Sequence, residues 1–289
     1  MDDPGPGASY ARAVRLSGLR PGRSRTLLAT FQQFGRPGFP IFRSDDGGRT
    51  WHQQGNVPNT GEAAGVWLQP FLYELPRAFA GLPKGAVLCA GNSLDHFSGT
   101  SIVLYASTDH GLTWQFLSTV AKGGAPVPEN GHTPVWEPFL LLHRDRLICY
   151  YSDQRDPEYG QKISHQACTD LRQWGPVVTD AVGTDYSQRP GMATVAQVRH
   201  SMWIMTHAAF GCPYLPGERF GGPVGEDGAG RCAEQVEGDV LAGVGAEDHH
   251  PAGVVVFDAL GGVPELPVAV AGGGHLRAVL AVWAALSAS

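Results

Sequence analysis

The chain has 289 residues, of which 17% are charged and 43% hydrophobic, and its formal net charge is -6. This is the balance of a globular protein with enough apolar residues for a sizeable core, in one large domain or two small ones. The mild acidity and the lack of a basic stripe argue against a nucleic-acid partner. No stretch reaches the ~18 apolar residues of a membrane span, so no membrane partner is expected.

Short apolar segments recur in pairs along the first part of the chain, separated by glycine and proline as in all-β proteins. In chain order, the pairs lie at residues 10–16 and 26–31, 69–75 and 86–90, 136–142 and 146–151, and 191–198 and 202–206. Strand-like segments at 101–106 and 115–120 flank the turn that follows the second pair. A unit of four short strands in roughly sixty residues is typical of a propeller blade. Stacked helical repeats are disfavoured, because no long segment has a 3.6-residue apolar period.

A turn motif repeats in phase with these pairs. The pattern S-x-D-x-G-x-T-W occurs at residues 44–51 and 107–114, and a shorter copy occupies 168–174. The copies begin at residues 44, 107 and 168, so their starts lie 63 and 61 residues apart. An aspartate in a tight turn accepts hydrogen bonds from nearby backbone amides, and glycine supplies a positive φ. The motif therefore predicts a structural clasp that closes a hairpin.

The composition changes after about residue 210. Residues 10–210 contain the blade-like units, whereas 211–289 are rich in Gly, Ala and Val and contain no Lys, Thr or Asn and no turn motif. This tail is interpreted in three ways: a divergent strand-rich region that completes the propeller, a disordered low-complexity extension, or the product of a shifted reading frame. The shifted frame is favoured, because a GC-rich gene read out of frame yields Gly, Ala, Val, Pro and Arg.

The cysteines and histidines predict neither a metal site nor a cofactor. The five cysteines are odd in number and show no C-x-x-C spacing, which favours buried free thiols over disulfides or zinc. His249 and His250 lie in the tail with no third ligand spaced to help. Residues 1–5 lack the basic-then-apolar order of a secretory signal, and the localisation stays open.

In a propeller, polar residues at the starts of the innermost strands meet at one mouth of the central channel. Here these positions carry Arg12, Gln69, Glu137 and Arg189. Glu137 stands between Trp136 and Pro138, before a strongly apolar segment. Apolar neighbours raise the pKa of a carboxyl group, as a general acid requires. The alternative is a structural ion pair with a nearby arginine.

The densest polar cluster lies at residues 150–156 and contains Tyr151, Asp153, Arg155 and Asp156. Aromatic rings, carboxylates, an amide and a guanidinium suit a sugar, whose hydroxyls need both donors and acceptors. The alternative is a surface loop with local Asx turns. His165, on the next strand, is expected to have a structural role or to position a residue of the site rather than to contact a ligand.

Residues from about 10 to 207 resemble glycoside hydrolase family 93, the exo-α-1,5-L-arabinanases. The matching segments are, in chain order, FPIFRSDDGGRTW (39–51), QPFLYELP (69–76), WEPF (136–139), YYSDQRD (150–156), GQKISHQ (160–166), DLRQWGPVV (170–178) and RPGM (189–192). The resemblance implies a six-bladed, sialidase-like β-propeller with Asp-box (BNR) repeats, which would be incomplete here because about three and a half blades are recognisable. It also implies cleavage of arabinan with retention, which needs two carboxyl groups about 5–5.5 Å apart.

The resemblance further implies which residues act. Glu137 matches the family's first catalytic glutamate, whereas Ala208 and Ala209 stand where the second is expected. We therefore expect a glycosidase by family whose activity is impaired, acting on arabinan as a monomer without a cofactor. Family members are typically secreted. The expected substrate contacts are Arg155, Asp156, Asp153, Arg189, Gln69, Arg12, Tyr151 and Trp136.

Two alternatives stay open on the sequence. A sialidase would use a tyrosine nucleophile and three arginines around a carboxylate, and Arg12, Arg155 and Arg189 are candidates. A non-catalytic propeller would bind glycans without turnover.

Overall fold

The computed structural model describes residues 7–17, 25–33, 36, 38–58, 67–95, 98–197, 202–210 and 252–258. These residues form strands and turns, and no helix occurs among them. Sheet 1 contains β1 (Ala8–Arg15), β2 (Leu27–Gln33), β3 (Phe39–Ser44) and β4 (His52–Val57). Sheet 2 contains β5 (Trp67–Glu74), β6 (Val87–Asp95), β7 (Gly99–Ser107) and β8 (Gln115–Gly123). Sheet 3 contains β9 (Val135–His143), β10 (Arg146–Asp153), β11 (Lys162–Cys168) and β12 (Val178–Ala181), and sheet 4 contains β13 (Arg189–Gln197), β14 (Met202–Phe210) and β15 (Ala252–Asp258).

Within each sheet, the strands are hydrogen-bonded in the order in which they follow one another along the chain. Sheets 1 to 3 therefore have the four-strand arrangement that the sequence predicts for a blade. In sheet 4, β15 pairs antiparallel with β14, from Met202 opposite Asp258 to Ala208 opposite Ala252. The tail segment 211–289 thus contributes one strand, and its other residues lie outside the described ranges. The three interpretations of the tail stay predictions.

The chain divides into two compact units. Unit 1 comprises Met1–Pro128, His132–Tyr150 and Gln166–Val177, and unit 2 comprises Glu129–Gly131, Tyr151–His165 and Val178–Ser289. The domain boundary predicted at residue 210 falls inside unit 2. Among the described residues, no helix has the length and apolar character needed to cross a membrane.

The core of unit 1 contains strands in which every second residue is buried and strands that are buried along almost their whole length. In β2, every second side chain is buried, as in a strand with one face on the core. Trp67 packs between two aromatic rings, with centroid distances of 5.2 Å to Phe39 and 5.6 Å to Tyr105. A Cβ at Gly91 would collide with the Phe39 ring, so glycine permits the close approach of β3 to β6.

The thiols that the structure describes agree with the sequence prediction. Cys89, Cys149 and Cys168 are free and buried, and burial raises the pKa of each. Cys212 and Cys232 lie outside the described residues.

The turn motif forms the predicted clasp. In the first copy, Asp46 Oδ1 accepts hydrogen bonds from the backbone N–H of Thr50 at 2.9 Å, and Asp46 Oδ2 accepts one from the Thr50 hydroxyl at 2.7 Å. In the second copy, Asp109 makes the same two bonds to Thr113, at 2.9 and 2.5 Å. Gly48 and Gly111 have φ values of 92° and 91°, which glycine adopts without a steric cost.

Two of the clasps rest on the last strand of the preceding sheet in unit 1. Gln54 of β4 donates from Nε2 to the carbonyl oxygen of His110 at 2.6 Å. Ser118 of β8 donates from Oγ to the carbonyl oxygen of Leu171 at 2.8 Å. His110 and Leu171 are equivalent positions of successive clasps, so the sequence repeat is also a repeat of tertiary contacts.

Candidate active site

The first strand of each sheet contains one residue in the left-handed backbone region. These residues are Tyr10, Gln69, Glu137 and Met192, with φ values of 51°, 56°, 61° and 54°. Non-glycine residues seldom adopt this conformation, and it persists where surrounding contacts enforce it. In β1, β5 and β13, the residue lies at a break in strand register. Such a bulge re-aims a side chain, and bulges are common beside active sites.

For three of these residues, the backbone N–H donates a hydrogen bond to a side chain of the preceding sheet. The pairs are Gln69 with Gln32 Oε1 at 3.2 Å, Glu137 with Asn92 Oδ1 at 3.0 Å, and Met192 with Ser152 Oγ at 3.3 Å. The three acceptors are buried and lie on β2, β6 and β10. We call these contacts the inter-sheet locks.

Glu137 lies at the start of β9 in unit 1, and its side chain is half-buried. Its Oε1 accepts a hydrogen bond from the Tyr10 hydroxyl at 3.3 Å and a long one from Gln69 Nε2 at 3.5 Å. The backbone N–H of Glu137 also donates to Gln69 Oε1 at 3.1 Å. Trp136, which precedes it, is buried. The carboxyl group is therefore oriented by a phenol and an amide while keeping some access to solvent.

Tyr10 is a residue of this site that the sequence analysis missed. Burial raises the pKa of its phenol, and the negative charge of Glu137 adds to the increase. In β1, Tyr10 occupies the position that Gln69 holds in β5 and Glu137 in β9. Arg12, the predicted residue, lies two positions later, where its side chain is exposed and donates to the carbonyl oxygen of Ala11 at 3.4 Å.

In unit 2, Arg155 is held by two of its predicted neighbours. Its guanidinium forms a bidentate pair with Asp153, with distances of 2.8 Å from Nε to Oδ1 and 2.7 Å from Nη2 to Oδ2. Nη2 also donates to the Tyr151 hydroxyl at 2.8 Å, and the guanidinium carbon lies 5.5 Å from the centroid of the Tyr151 ring. The Arg155 side chain is 28% exposed, whereas that of Asp153 is 2% exposed. Tyr151 and Asp153 therefore fix the orientation of the Arg155 guanidinium.

The electrostatics of Arg155 follow from this packing. Burial acts to lower its pKa, but the hydrogen bonds and charge of Asp153, together with Tyr151, outweigh burial and raise it. The guanidinium therefore stays charged despite its burial.

Asp156 lies in an ion pair in unit 2. Lys162 Nζ donates to Asp156 Oδ2 at 2.6 Å and to Thr179 Oγ1 at 3.0 Å. The hydrogen bond from Lys162 is the main cause of a lowered pKa at Asp156. The Asp156 side chain remains 28% exposed, so part of the carboxylate is still accessible.

Arg189 begins β13 and donates to four neutral oxygens of unit 2. Nη2 donates to Gln154 Oε1 at 2.8 Å and to Gln161 Oε1 at 2.9 Å. Nη1 donates to Asn130 Oδ1 and to the carbonyl oxygen of Gly160. Gln154 and Gln161 are buried. Arg189 therefore ties three separate segments of the chain to the start of β13.

His165 Nδ1 lies 2.8 Å from both carboxylate oxygens of Asp180 in the interior of unit 2, and its role stays a prediction. Burial raises the pKa of Asp180. Among the described residues, no group of three or more His, Cys, Asp or Glu side chains is arranged to hold a metal ion.

The end of β14 contains the two alanines at which a carboxylate was expected. Ala208 pairs with Gly191, the residue before Met192, just as Asn92 pairs with the residue before Gln69. Ala208 therefore occupies an inter-sheet lock position, where its methyl group can accept no hydrogen bond. The neighbouring His207 is buried, its Nε2 has no hydrogen-bond partner in the described structure, and burial lowers its pKa.

Comparisons with solved structures show what the chain is similar to. The chain matches the family 93 α-L-arabinofuranosidase of Fusarium graminearum, in complex with arabinobiose, with 37% identity, a TM-score of 0.72 and coverage of 91% of this chain and 65% of that chain. It matches a Penicillium chrysogenum α-L-arabinanase, also complexed with arabinobiose, with 35% identity, a TM-score of 0.68 and coverage of 86% and 62%. A thermostable family 43 glycoside hydrolase shares the fold alone, with 13% identity, a TM-score of 0.55 and coverage of 95% and 76%.

The predicted all-β, β-propeller type of fold is therefore confirmed, and it is that of a class of glycoside hydrolases. The predicted resemblance to glycoside hydrolase family 93 is also confirmed, because the chain is 35–38% identical to four solved α-L-arabinofuranosidase and α-L-arabinanase structures. The chain spans slightly less than two thirds of the length of these relatives, at 62–66%. No protein-family model matches the chain, and no curated protein matches it.

Proposed function

We propose that this chain derives from a retaining exo-α-1,5-L-arabinanase and that Glu137 is its surviving catalytic carboxyl group. One observation carries the proposal: Glu137 is held in a left-handed conformation at a strand start, with Oε1 3.3 Å from the Tyr10 hydroxyl. The α-L-arabinofuranosidase and arabinanase structures in complex with arabinobiose support an arabinan-type substrate.

Glu137 would act as the general acid. Its proton passes to the glycosidic oxygen, the bond from that oxygen to the anomeric carbon breaks, and positive charge develops on the sugar. The carboxylate left behind accepts the hydrogen bond from Tyr10 and the longer one from Gln69, which stabilise its negative charge.

The second half of a retaining mechanism needs a carboxylate that attacks the anomeric carbon. The resemblance places that group at Ala208 or Ala209, and an alanine side chain cannot act as a nucleophile. The proposal therefore includes impaired double displacement, with any residual turnover depending on the acid alone.

The unit 2 residues are proposed as sugar contacts with different degrees of access. Arg155 and Asp156 would contact hydroxyls directly, because each side chain is 28% exposed. Asp153 and Tyr151 would act by holding Arg155, and Arg189 by fixing the start of β13. In unit 1, Gln69, Trp136 and Arg12 stay proposed contacts. The partner would be arabinan or an arabino-oligosaccharide, bound by a monomer, and the clasps would be sialidase-like Asp-box repeats with a structural role.

The experiment compares wild type, Glu137→Gln and Glu158→Gln on linear arabinan and arabinobiose, with a sialoside as a second substrate. Glu158 is exposed, so Glu158→Gln is a control that makes the same change of charge as Glu137→Gln. We expect Glu137→Gln to reduce the rate of arabinan hydrolysis by a factor of about 10² to 10⁴, which is the contribution typical of general acid catalysis. Glu158→Gln should leave this rate unchanged. Turnover that Glu137→Gln leaves intact would exclude Glu137 from the mechanism, and sialoside cleavage would favour a sialidase.

Ala208 and Ala209 favour one second candidate, a glycan-binding protein without turnover. A solved alanine mutant of the Fusarium graminearum protein holds an iminosugar inhibitor, so a glutamate-to-alanine change is compatible with ligand binding in that protein. Calorimetry with arabinobiose distinguishes the candidates, because binding without release of arabinose identifies the binding protein. Ala208→Glu and Ala209→Glu then test whether a restored carboxylate adds turnover.

A further inference from the structure

We propose that Asn92, assisted by Thr100, is a positioning residue that holds Glu137 in its active conformation. This inference rests on the proposed role of Glu137 as an acid. Neither Asn92 nor Thr100 was singled out by the sequence.

The contacts of Asn92 bracket Trp136. Asn92 Oδ1 accepts a hydrogen bond from the backbone N–H of Glu137 at 3.0 Å, and Asn92 Nδ2 donates to the carbonyl oxygen of Val135 at 2.6 Å. The Thr100 hydroxyl accepts a hydrogen bond from the N–H of Val135 at 2.9 Å. All of these groups belong to unit 1, so one sheet fixes the entry of β9.

These contacts are shielded from water. The exposed fraction is 0% for Asn92 and 1% for Thr100. A buried amide that both donates and accepts has little freedom to rotate, since any other orientation leaves polar atoms unpaired. The side chain is therefore a rigid support on which the backbone of residues 135–137 is fixed.

The left-handed conformation of Glu137 explains why such support is needed. A residue with a side chain seldom adopts φ near 61° unless its surroundings enforce it. Without the bond to Asn92, the backbone of Glu137 can relax toward an ordinary strand conformation, which would turn the carboxyl group away from Tyr10. Gln69 supplies a second acceptor for the same N–H at 3.1 Å, so we expect the relaxation to be partial.

The test uses the full chain with Asn92→Ala and a control, Ser118→Ala. Ser118 is also buried in unit 1, where it donates to Leu171 and accepts a hydrogen bond from Trp174, and its contacts lie in a clasp rather than at β9. Both variants lose two hydrogen bonds of a buried residue, so comparable losses of Tm are expected from both.

Hydrogen-exchange mass spectrometry of peptides from β9 provides the first readout. We expect Asn92→Ala to speed exchange at Val135–Glu137 by about tenfold, the factor that one net hydrogen bond provides, and Ser118→Ala to leave these amides unchanged. Equal exchange in both variants would overturn the proposal, because Asn92 would then contribute to stability alone.

Hydrolysis of arabinobiose and of a nitrophenyl α-L-arabinofuranoside provides the second readout. A misplaced acid slows release of a sugar alcohol more than release of nitrophenol, which leaves without protonation. We therefore expect kcat on arabinobiose to fall at least about tenfold more than kcat on the nitrophenyl substrate, with KM little changed. Equal losses on both substrates would overturn the positioning role. If wild type has no activity on either substrate, the proposed function fails, and the exchange result alone shows whether Asn92 holds Glu137.

Discussion

Arg189 provides a sharp test of whether a predicted sugar contact is instead a structural support. Its guanidinium donates to Gln154 Oε1 and Gln161 Oε1, and both glutamine side chains are buried. Arg189→Ala would leave these two acceptors without their charged donor. Each such loss costs about 1–3 kcal/mol, and partial access of water to the vacated space favours the lower half of the summed range. We therefore expect destabilisation of about 3 kcal/mol, from loss of hydrogen bonds that connect three segments of unit 2.

Urea and thermal unfolding, followed by fluorescence, measure this change. A loss of about 3 kcal/mol corresponds to a fall in Tm of roughly 6–12 °C for a domain of this size. Arg172→Ala, which removes an exposed arginine and the same charge, should stay within about 0.5 kcal/mol of wild type. Arg189→Lys should be intermediate, because an ammonium group keeps the charge but cannot match the planar set of donors. An Arg189→Ala protein as stable as wild type that has lost arabinobiose binding would refute this reasoning and support a direct sugar contact.

Two further predictions concern the clasp and the acid. Burial acts to raise the pKa of Asp109, but hydrogen bonds from Thr113 and Ser107 outweigh burial and lower this pKa. The contribution of Asp109 to stability is therefore present above the pKa of the unfolded state, about 3.9. It is lost as the pH falls through the lower pKa of the folded state. Asp109→Asn should therefore destabilise the protein more at pH 7 than at pH 3 in urea unfolding, and an equal difference at both would contradict this. Tyr10→Phe removes the hydroxyl that donates to Glu137 Oε1 at 3.3 Å. The rate of arabinobiose hydrolysis should then fall about tenfold, which corresponds to the net free energy of one hydrogen bond. An unchanged rate would show that Tyr10 does not support the acid.

The strand positions could be read from the sequence with useful accuracy. The segments predicted at 136–142 and 202–206 lie within β9 and β14, because alternating apolar residues and turn-forming residues are local signals. The short strand β12, Val178–Ala181, was not predicted. Its four residues are too few to show a periodic pattern, and its place at the sheet edge comes from pairing with β11.

The site could be predicted only in part. Glu137 and Gln69 were found because their neighbouring sequence is distinctive, and the structure brings them together. The sequence pattern predicts Arg12 at the position that Tyr10 occupies, because the bulge between Ser9 and Arg12 changes which side chain lies there. No pattern in the local sequence of β1 predicts that bulge.

The sequence by itself determined the fold class, the clasps and the resemblance to family 93. These depend on residues close together in the chain, as in the bonds from Thr50 to Asp46. The tertiary structure alone decided what surrounds Glu137, since Tyr10 lies 127 positions from it and Asn92 lies 45 positions from it. Hydrogen bonds between residues so far apart depend on how strands pair and sheets pack, and no local pattern encodes which side chains will meet.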